Sequence, residues 1–263
     1  MKPIDNATVL VTGGSKGIGL AIAWEFARHG HNLILVARGR GELEQAASAI
    51  RGSTGNSVET IAMDLCRENA AEQLFEAVSQ ACLPVDILVN NAGIGMTGSF
   101  AEGDCSRMTD MLKLNMLVLS QLTHLFLQPM LERKRGRILN VGSVVAYFSG
   151  APNWQAYVAS KHYVLALSKG LARELKGMGV MATVVSPGAT GTDFVRTADA
   201  THMRAYRAPS GLSVEKIAAA AYRACQNGKV AVIPGAFNKI LAFLGELHPL
   251  PAMESEAKAG RPQ

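Results

Sequence analysis

Cysteine is scarce in this chain. Of 263 residues only Cys66, Cys82, Cys105 and Cys225 carry thiols, widely spaced and without a CxxC pair. That spacing speaks against a bound metal and against a disulfide scaffold. No run of about 18 uninterrupted apolar residues exists, so no membrane span is expected. No leader-like segment precedes the first strand-like run, which with the free thiols leads us to expect a cytoplasmic protein. The six histidines, His29, His31, His124, His162, His202 and His248, are scattered without visible partners. Val145 stands where a serine-hydrolase elbow around Ser143 needs a glycine, so nucleophilic hydrolysis is not expected. Charge is modest: +5 net, with a pI near 9.1. Its basic groups, Arg133-Lys134-Arg135 and Arg204 to Arg207, are short and come with no nucleic-acid motif, so no nucleic-acid partner is expected.

What is present is an ordinary globular balance, 48% apolar and 18% charged, enough to bury a core. Short β-branched runs alternate with helical periodicity. Strands are expected at Val9–Val11, Leu33–Val36, Val58–Ala62, Ile87–Val89, Arg137–Val141, Val180–Val185 and Val230–Ile233. Helices are expected over 17–29, 41–50, 68–81, 104–113, 116–132, 154–176, 213–226 and 236–247. Continuous apolar strands separated by helices imply a parallel sheet buried on both faces. The fold expected is therefore α/β, a doubly wound Rossmann three-layer sandwich on a mostly parallel seven-stranded sheet. Residues 1–250 read as one domain with a lid at about 190–210, and 251–263 as a disordered tail. The amphipathic stretch 236–247 is expected to pack on the domain or at an interface and, by its few cations, not on a membrane.

The first strand runs into Thr12-Gly13-Gly14-Ser15-Lys16-Gly17-Ile18-Gly19. A glycine-rich turn opening a helix lets backbone N–H groups meet a pyrophosphate where the helix dipole favours anions. The second strand ends at Val36-Ala37-Arg38, without the acid that binds a ribose 2′-hydroxyl. The Arg38 guanidinium, helped by Lys16, suits a 2′-phosphate instead, so NADP(H) is expected in preference to NAD(H). Asp64-Leu65 follows the third strand, where the carboxylate could accept from an adenine amine or cap the next helix. Asn90-Asn91-Ala92-Gly93 follows the fourth.

Taken in order, this chain resembles the short-chain dehydrogenase/reductase family in its single-domain form. The resemblance rests on the glycine-rich turn, Asn90-Asn91-Ala92-Gly93, Asn115, Ser143, Tyr157-Val158-Ala159-Ser160-Lys161 and Pro187-Gly188, and covers about Thr8 to Thr192. The region from Lys229 to His248 is similar to a functionally mixed, DltE-like group. The resemblance implies Asn115, Ser143, Tyr157 and Lys161 as catalytic residues. It implies cofactor contacts from Gly13, Ser15, Lys16, Gly17, Ile18, Gly19, Arg38, Asp64, Leu65, Asn91, Ala92, Gly93, Tyr157, Lys161, Pro187, Gly188, Thr190 and Thr192. It also implies a homodimer or homotetramer paired through the helices at 116–132 and 154–176.

Tyr157 and Lys161 are four residues apart and share one helix face. A free phenol titrates near ~10, and a neighbouring ammonium draws it toward neutrality. Tyr157 can then exchange a proton with a carbonyl oxygen while Ser143 holds that oxygen. The resemblance gives Lys161 the nicotinamide ribose and gives Asn115 a water linking Lys161 to solvent. The expected activity is NADPH-dependent interconversion of a ketone and a secondary alcohol. A 3-oxoacyl thioester reductase and a non-catalytic NADP(H) sensor stand as alternatives. Pocket walls are expected from Gly93–Met96, Val144–Gly150 and the lid, whose Phe194 and Met203 add apolar surface and whose Arg196, Arg204 and Arg207 could meet an acidic tail. Those walls favour a small apolar carbonyl substrate.

Overall fold

The computed structural model describes residues 3–81, 83–190 and 212–247. The expected lid beyond Thr190, including Thr192, Phe194, Arg196, Met203, Arg204 and Arg207, lies outside the described residues, as does the expected tail.

Seven strands form one parallel sheet in the order β3-β2-β1-β4-β5-β6-β7. They are β1 (Thr8–Thr12), β2 (Asn32–Ala37), β3 (Val58–Ala62), β4 (Ile87–Asn90), β5 (Gly136–Val141), β6 (Val180–Val185) and β7 (Ala231–Val232). The helices are α1 (Gly17–Arg28), α2 (Arg40–Thr54), α3 (Ala70–Gln80), α4 (Cys105–Leu112), α5 (Leu119–Glu132), α6 (Gln155–Glu174), α7 (Val214–Gln226) and α8 (Ala236–Leu247). The doubly wound expectation is met, and the sheet is parallel at every pairing.

Strand periodicity explains the layers. Val9, Val11, Leu33, Leu35, Ile87 and Val89 face one core, packed by Ile22 and Phe26 of α1, Leu43 and Ile50 of α2, and Ile217 of α7. The residues between them, Leu10, Ile34, Val36 and Leu88, face the opposite core with Leu74 of α3 and Leu122 and Phe126 of α5. Both faces are apolar, so neither can be left to water. Each fully buried Leu, Ile or Phe contributes about 2 kcal/mol of transfer free energy.

Boundaries moved where local chemistry outweighed periodicity. The apolar pattern of α2 stops at Ile50, but the helix runs on along its polar face. It ends at Gly55, whose φ of +73° supplies the left-handed cap, with its N–H donating to Arg51 O at 2.9 Å. The two helical stretches expected at 104–113 and 116–132 are continuous. They join through a π-helical turn, Lys113–Val118, where a break was expected. β7 is two residues, shorter than expected.

The order of strands reverses between β1 and β4, and a crevice opens there at the carboxyl ends of the strands. The loops after β1, β2, β4, β5 and β6 all reach it.

Candidate active site

One cleft of about 1110 Å³ runs across these strand ends. At one end the backbone forms the site. Gly13 has φ +66° and donates its N–H to Val36 O at 2.7 Å, which turns the chain sharply out of β1. Thr12 binds this turn to the one after β4. Its Oγ1 accepts from the N–H groups of Asn91 and Ala92, each at 3.0 Å, and donates to Val89 O at 3.2 Å. The Asn91 amide returns the contact, donating to Thr12 O at 2.9 Å and Gly13 O at 3.1 Å. A Cβ at Gly19 would run into Gly13 O and that same amide, so only glycine fits.

The first turn of α1 carries no acidic residue, and its N-cap makes no side-chain cap hydrogen bond. A helix start of this kind offers N–H groups to an anion. Ser15, Lys16, Gly17 and Ile18 line the cleft beside it, while Gly19 lies beneath. Arg38 is exposed at the rim, and Asp64 and Leu65 line the wall. The Asp64 carboxylate accepts from Cys66 N at 3.1 Å, so it orders its own turn while facing the cleft. These residues fit the two phosphates and the ribose of a dinucleotide.

At the other end side chains form the site. Ser143 follows β5, and its Oγ accepts from Val145 N at 3.3 Å, starting a short 3₁₀ turn, Val144–Tyr147. Tyr157 and Lys161 project from α6, only 5% and 7% exposed. The Lys161 ammonium lies 5.8 Å from the Tyr157 ring centroid and donates to Val141 O at 3.1 Å. Burial penalises its charge and brings its pKa down to about 8. Ser143, Tyr157 and Lys161 therefore meet in one cleft with the glycine-rich turn, Ala92, Gly93, Pro187, Gly188 and Thr190.

Asn115 sits one layer behind, 1% exposed, in the π-helical turn. Its Oδ1 accepts from Ile94 N at 2.9 Å, and its Nδ2 donates to Ile94 O at 3.0 Å and Ser160 Oγ at 3.1 Å. Ser160 Oγ in turn donates to Tyr157 O at 2.7 Å. Asn115 thus clamps the segment after Gly93 to the helix that carries Tyr157. Deeper still, Asn90 Nδ2 donates to Thr123 Oγ1 and to Asn140 Oδ1, both at 2.9 Å, and Asn140 Nδ2 donates to Ser168 Oγ at 2.9 Å. That chain ties β4, β5, α5 and α6 together under the site.

Residues 7–202 match the short chain dehydrogenase family model. The chain belongs to the short-chain dehydrogenase family. It is 30% identical over 258 residues to ketoacyl reductase HetN of Nostoc sp., covering 95% of this chain and 88% of that one. Among solved structures it is similar to a short-chain dehydrogenase from Sphingobium yanoikuyae in complex with NADPH. That match has TM-score 0.81 and 30% identity, and covers 98% of this chain and 97% of the other. It is also similar to the bulky-bulky ketone specific alcohol dehydrogenase from Comamonas testosteroni, with TM-score 0.77 and 27% identity, covering 99% and 96%. This short-chain dehydrogenase is accordingly an oxidoreductase of the nicotinamide-dinucleotide class. Among its described residues no helix is long and apolar enough to cross a membrane, and no group of three His, Cys, Asp or Glu side chains could hold a metal.

Sequence reasoning missed several wall residues, Trp154 and Leu241 among them. Trp154 lines the cleft, 5.3 Å from Tyr157 between ring centroids. It lies three residues before Tyr157, and that spacing alone could have flagged it. Leu241 reaches the cleft from α8; no local signal points to it, because the contact depends on the chain returning after β7.

Proposed function

We propose that this chain is an NADPH-dependent oxidoreductase that interconverts a ketone and a secondary alcohol, with Tyr157 as general acid and base. The observation that carries the reading is the buried Lys161 ammonium 5.8 Å from the Tyr157 ring, in a cleft shared with Ser143. When bound, the cofactor supplies or receives the hydride. Ser143 Oγ and Tyr157 Oη hydrogen-bond the substrate oxygen. In reduction Tyr157 Oη gives its proton to that oxygen; in oxidation it takes the proton back. The Lys161 ammonium stabilises the phenolate left behind, and its shielding from water strengthens the effect. Asn115 keeps the segment at Gly93 and Ile94 in place against α6.

Gly13, Ser15, Lys16, Gly17 and Ile18 would hold the pyrophosphate, with Gly19 packed beneath them. Asp64, Leu65, Asn91, Ala92 and Gly93 would flank the adenosine and ribose. Pro187, Gly188, Thr190 and Thr192 would hold the carboxamide end, with Lys161 on the ribose hydroxyls. Arg38 supports the choice of NADPH, since a guanidinium at the end of β2 pairs with a 2′-phosphate and no acid stands there for a 2′-hydroxyl. Consumption of NADPH with a panel of ketones tests the activity. Tyr157→Phe should cut turnover by about 10³, and equal activity in that variant removes the mechanism.

A second reading, reduction of a 3-oxoacyl thioester, is favoured by the likeness to a ketoacyl reductase. The same assay with a 3-oxoacyl thioester decides between them. We further propose that copies of the chain pair through α5, with the π-helical turn that leads into it, and α6, where Leu117 of that turn and Ala159, Ala166 and Gly170 of α6 face outward. Sedimentation velocity checks this, with a monomer at micromolar concentration counting against it.

A further inference from the structure

The reacting end of the cleft has two apolar flanks. On one side Trp154 and Tyr157 pack with Ile94, Met108 and Met111. On the other, Leu241 and Ala242 of α8 pack with Val144 and Phe148. Val145 belongs to both groups, beside Ser143. Both flanks are preformed: Trp154 is 4% and Phe148 5% exposed. The second flank is also tight. A Cβ at Gly245 would strike the Phe148 ring, so α8 lies against the turn after Ser143 as closely as the chain permits. Ser143 and Tyr157 line the same cleft as these two apolar groups, one of which contains Trp154 and the other Leu241.

A carbonyl held by Ser143 and Tyr157 has two substituents. A methyl group would leave the space beside one of these surfaces unfilled, and a hydroxylated chain would bury unpaired hydroxyls against it. Building on the proposed ketone chemistry, we infer that the substrate is a ketone or secondary alcohol with an apolar substituent larger than methyl on each side, and that Trp154 and Leu241 set the size of the two sides. A thioester with a long polar arm fits neither flank. Leu241 is the more informative of the pair, because it is half-buried whereas Trp154 packs with Tyr157 itself.

The test measures kcat/KM for NADPH oxidation with 1-phenylhexan-1-one, butan-2-one and a 3-oxoacyl N-acetylcysteamine thioester. The wild type should prefer 1-phenylhexan-1-one to each of the others by tenfold or more, on the order expected when one apolar side chain's contacts are gained. In Leu241→Trp the preference over butan-2-one should fall by about tenfold, since the larger ring fills one side. Because a bulky replacement can disturb α8, Leu241→Ala is measured too. It should shift the preference from 1-phenylhexan-1-one toward 1-phenyldecan-1-one. A wild type that reduces ketones but favours butan-2-one or the thioester overturns the inference and leaves the proposed chemistry standing. So does a size preference that neither variant moves. A wild type that binds NADPH and reduces no ketone overturns the chemistry itself, and the inference with it.

Discussion

The two ends of the cleft are built from different materials. The glycine-rich end, proposed to hold the phosphates, is backbone: a left-handed Gly13, a Gly19 with no room for a Cβ, and two turns joined through Thr12 and Asn91. The proposed reacting end is side chain: Ser143, Tyr157 and Lys161, held by the Asn115 clamp and the buried amide chain beneath. Damage to the first should be steric and should appear in binding and stability together. Damage to the second should appear in rate while the fold survives.

The sharpest break is Tyr157→Phe. Losing a positioned proton donor costs a factor of about 10²–10⁴, so kcat should fall by about 10³ while NADPH still binds, as followed by quenching of protein fluorescence. A matching loss of cofactor affinity would mean that Tyr157 supports the cleft and not the chemistry.

Lys161 gives the next effect, and its sign is opposite for stability and for function. Burial holds its pKa at about 8, below the ordinary lysine value of 10.5. Below pH 8 the folded protein carries a buried ammonium, at a cost of about 3 kcal/mol. As pH rises from 8 to 10.5 the unfolded chain holds more proton than the folded one, so this cost disappears. Lys161→Met should therefore be inactive, yet up to about 3 kcal/mol more stable at pH 7, with the gain fading above pH 8. Urea unfolding of both proteins across that range checks it; a less stable Lys161→Met at pH 7 would show that the hydrogen bond to Val141 O outweighs the burial of charge.

At the opposite end, Gly19→Ala forces a methyl into the Gly13 carbonyl and the Asn91 amide. Overpacking of this kind costs about 1–3 kcal/mol. Thermal unfolding should drop by several degrees, and NADPH affinity should fall with it. Stability lost without affinity would separate the turn's structural role from its phosphate role.

The glycine-rich turn was legible as a turn because its constraints are local. A glycine demanded by φ or by close approach occupies one position, and the turn's place after a strand fixes what it faces. The strand faces were legible for the same reason, since Val9 and Val11 point one way and Leu10 the other. The reacting end was half legible. Tyr157 and Lys161 share a helix face by spacing alone. The π-helical turn around Asn115 did not show, because its hydrogen bonds go to Ile94 and Ser160, 21 and 45 residues away. Leu241 was invisible for a similar reason, as it meets Val144 and Phe148 only once the chain has crossed the sheet again.

The mildest prediction falls on Arg38, where side-chain logic appears at the backbone end. Its guanidinium is exposed at the rim, so water and salt screen it, and its contribution is smaller than that of a buried pair. A charge-assisted hydrogen bond to phosphate contributes about 1.5–3 kcal/mol at full strength; with screening, Arg38→Ala should raise the KM for NADPH by about tenfold. The KM for NADH should barely move, because that cofactor has no 2′-phosphate to lose a partner. Steady-state kinetics with each cofactor, repeated at low and high salt, reads this directly. The KM for NADPH should rise with salt more steeply in the unmodified protein than in the variant, so the gap between them narrows at high salt. If Arg38→Ala weakens both cofactors equally, Arg38 braces the loop after β2, and the preference for NADPH must come from Lys16 or from elsewhere at the rim.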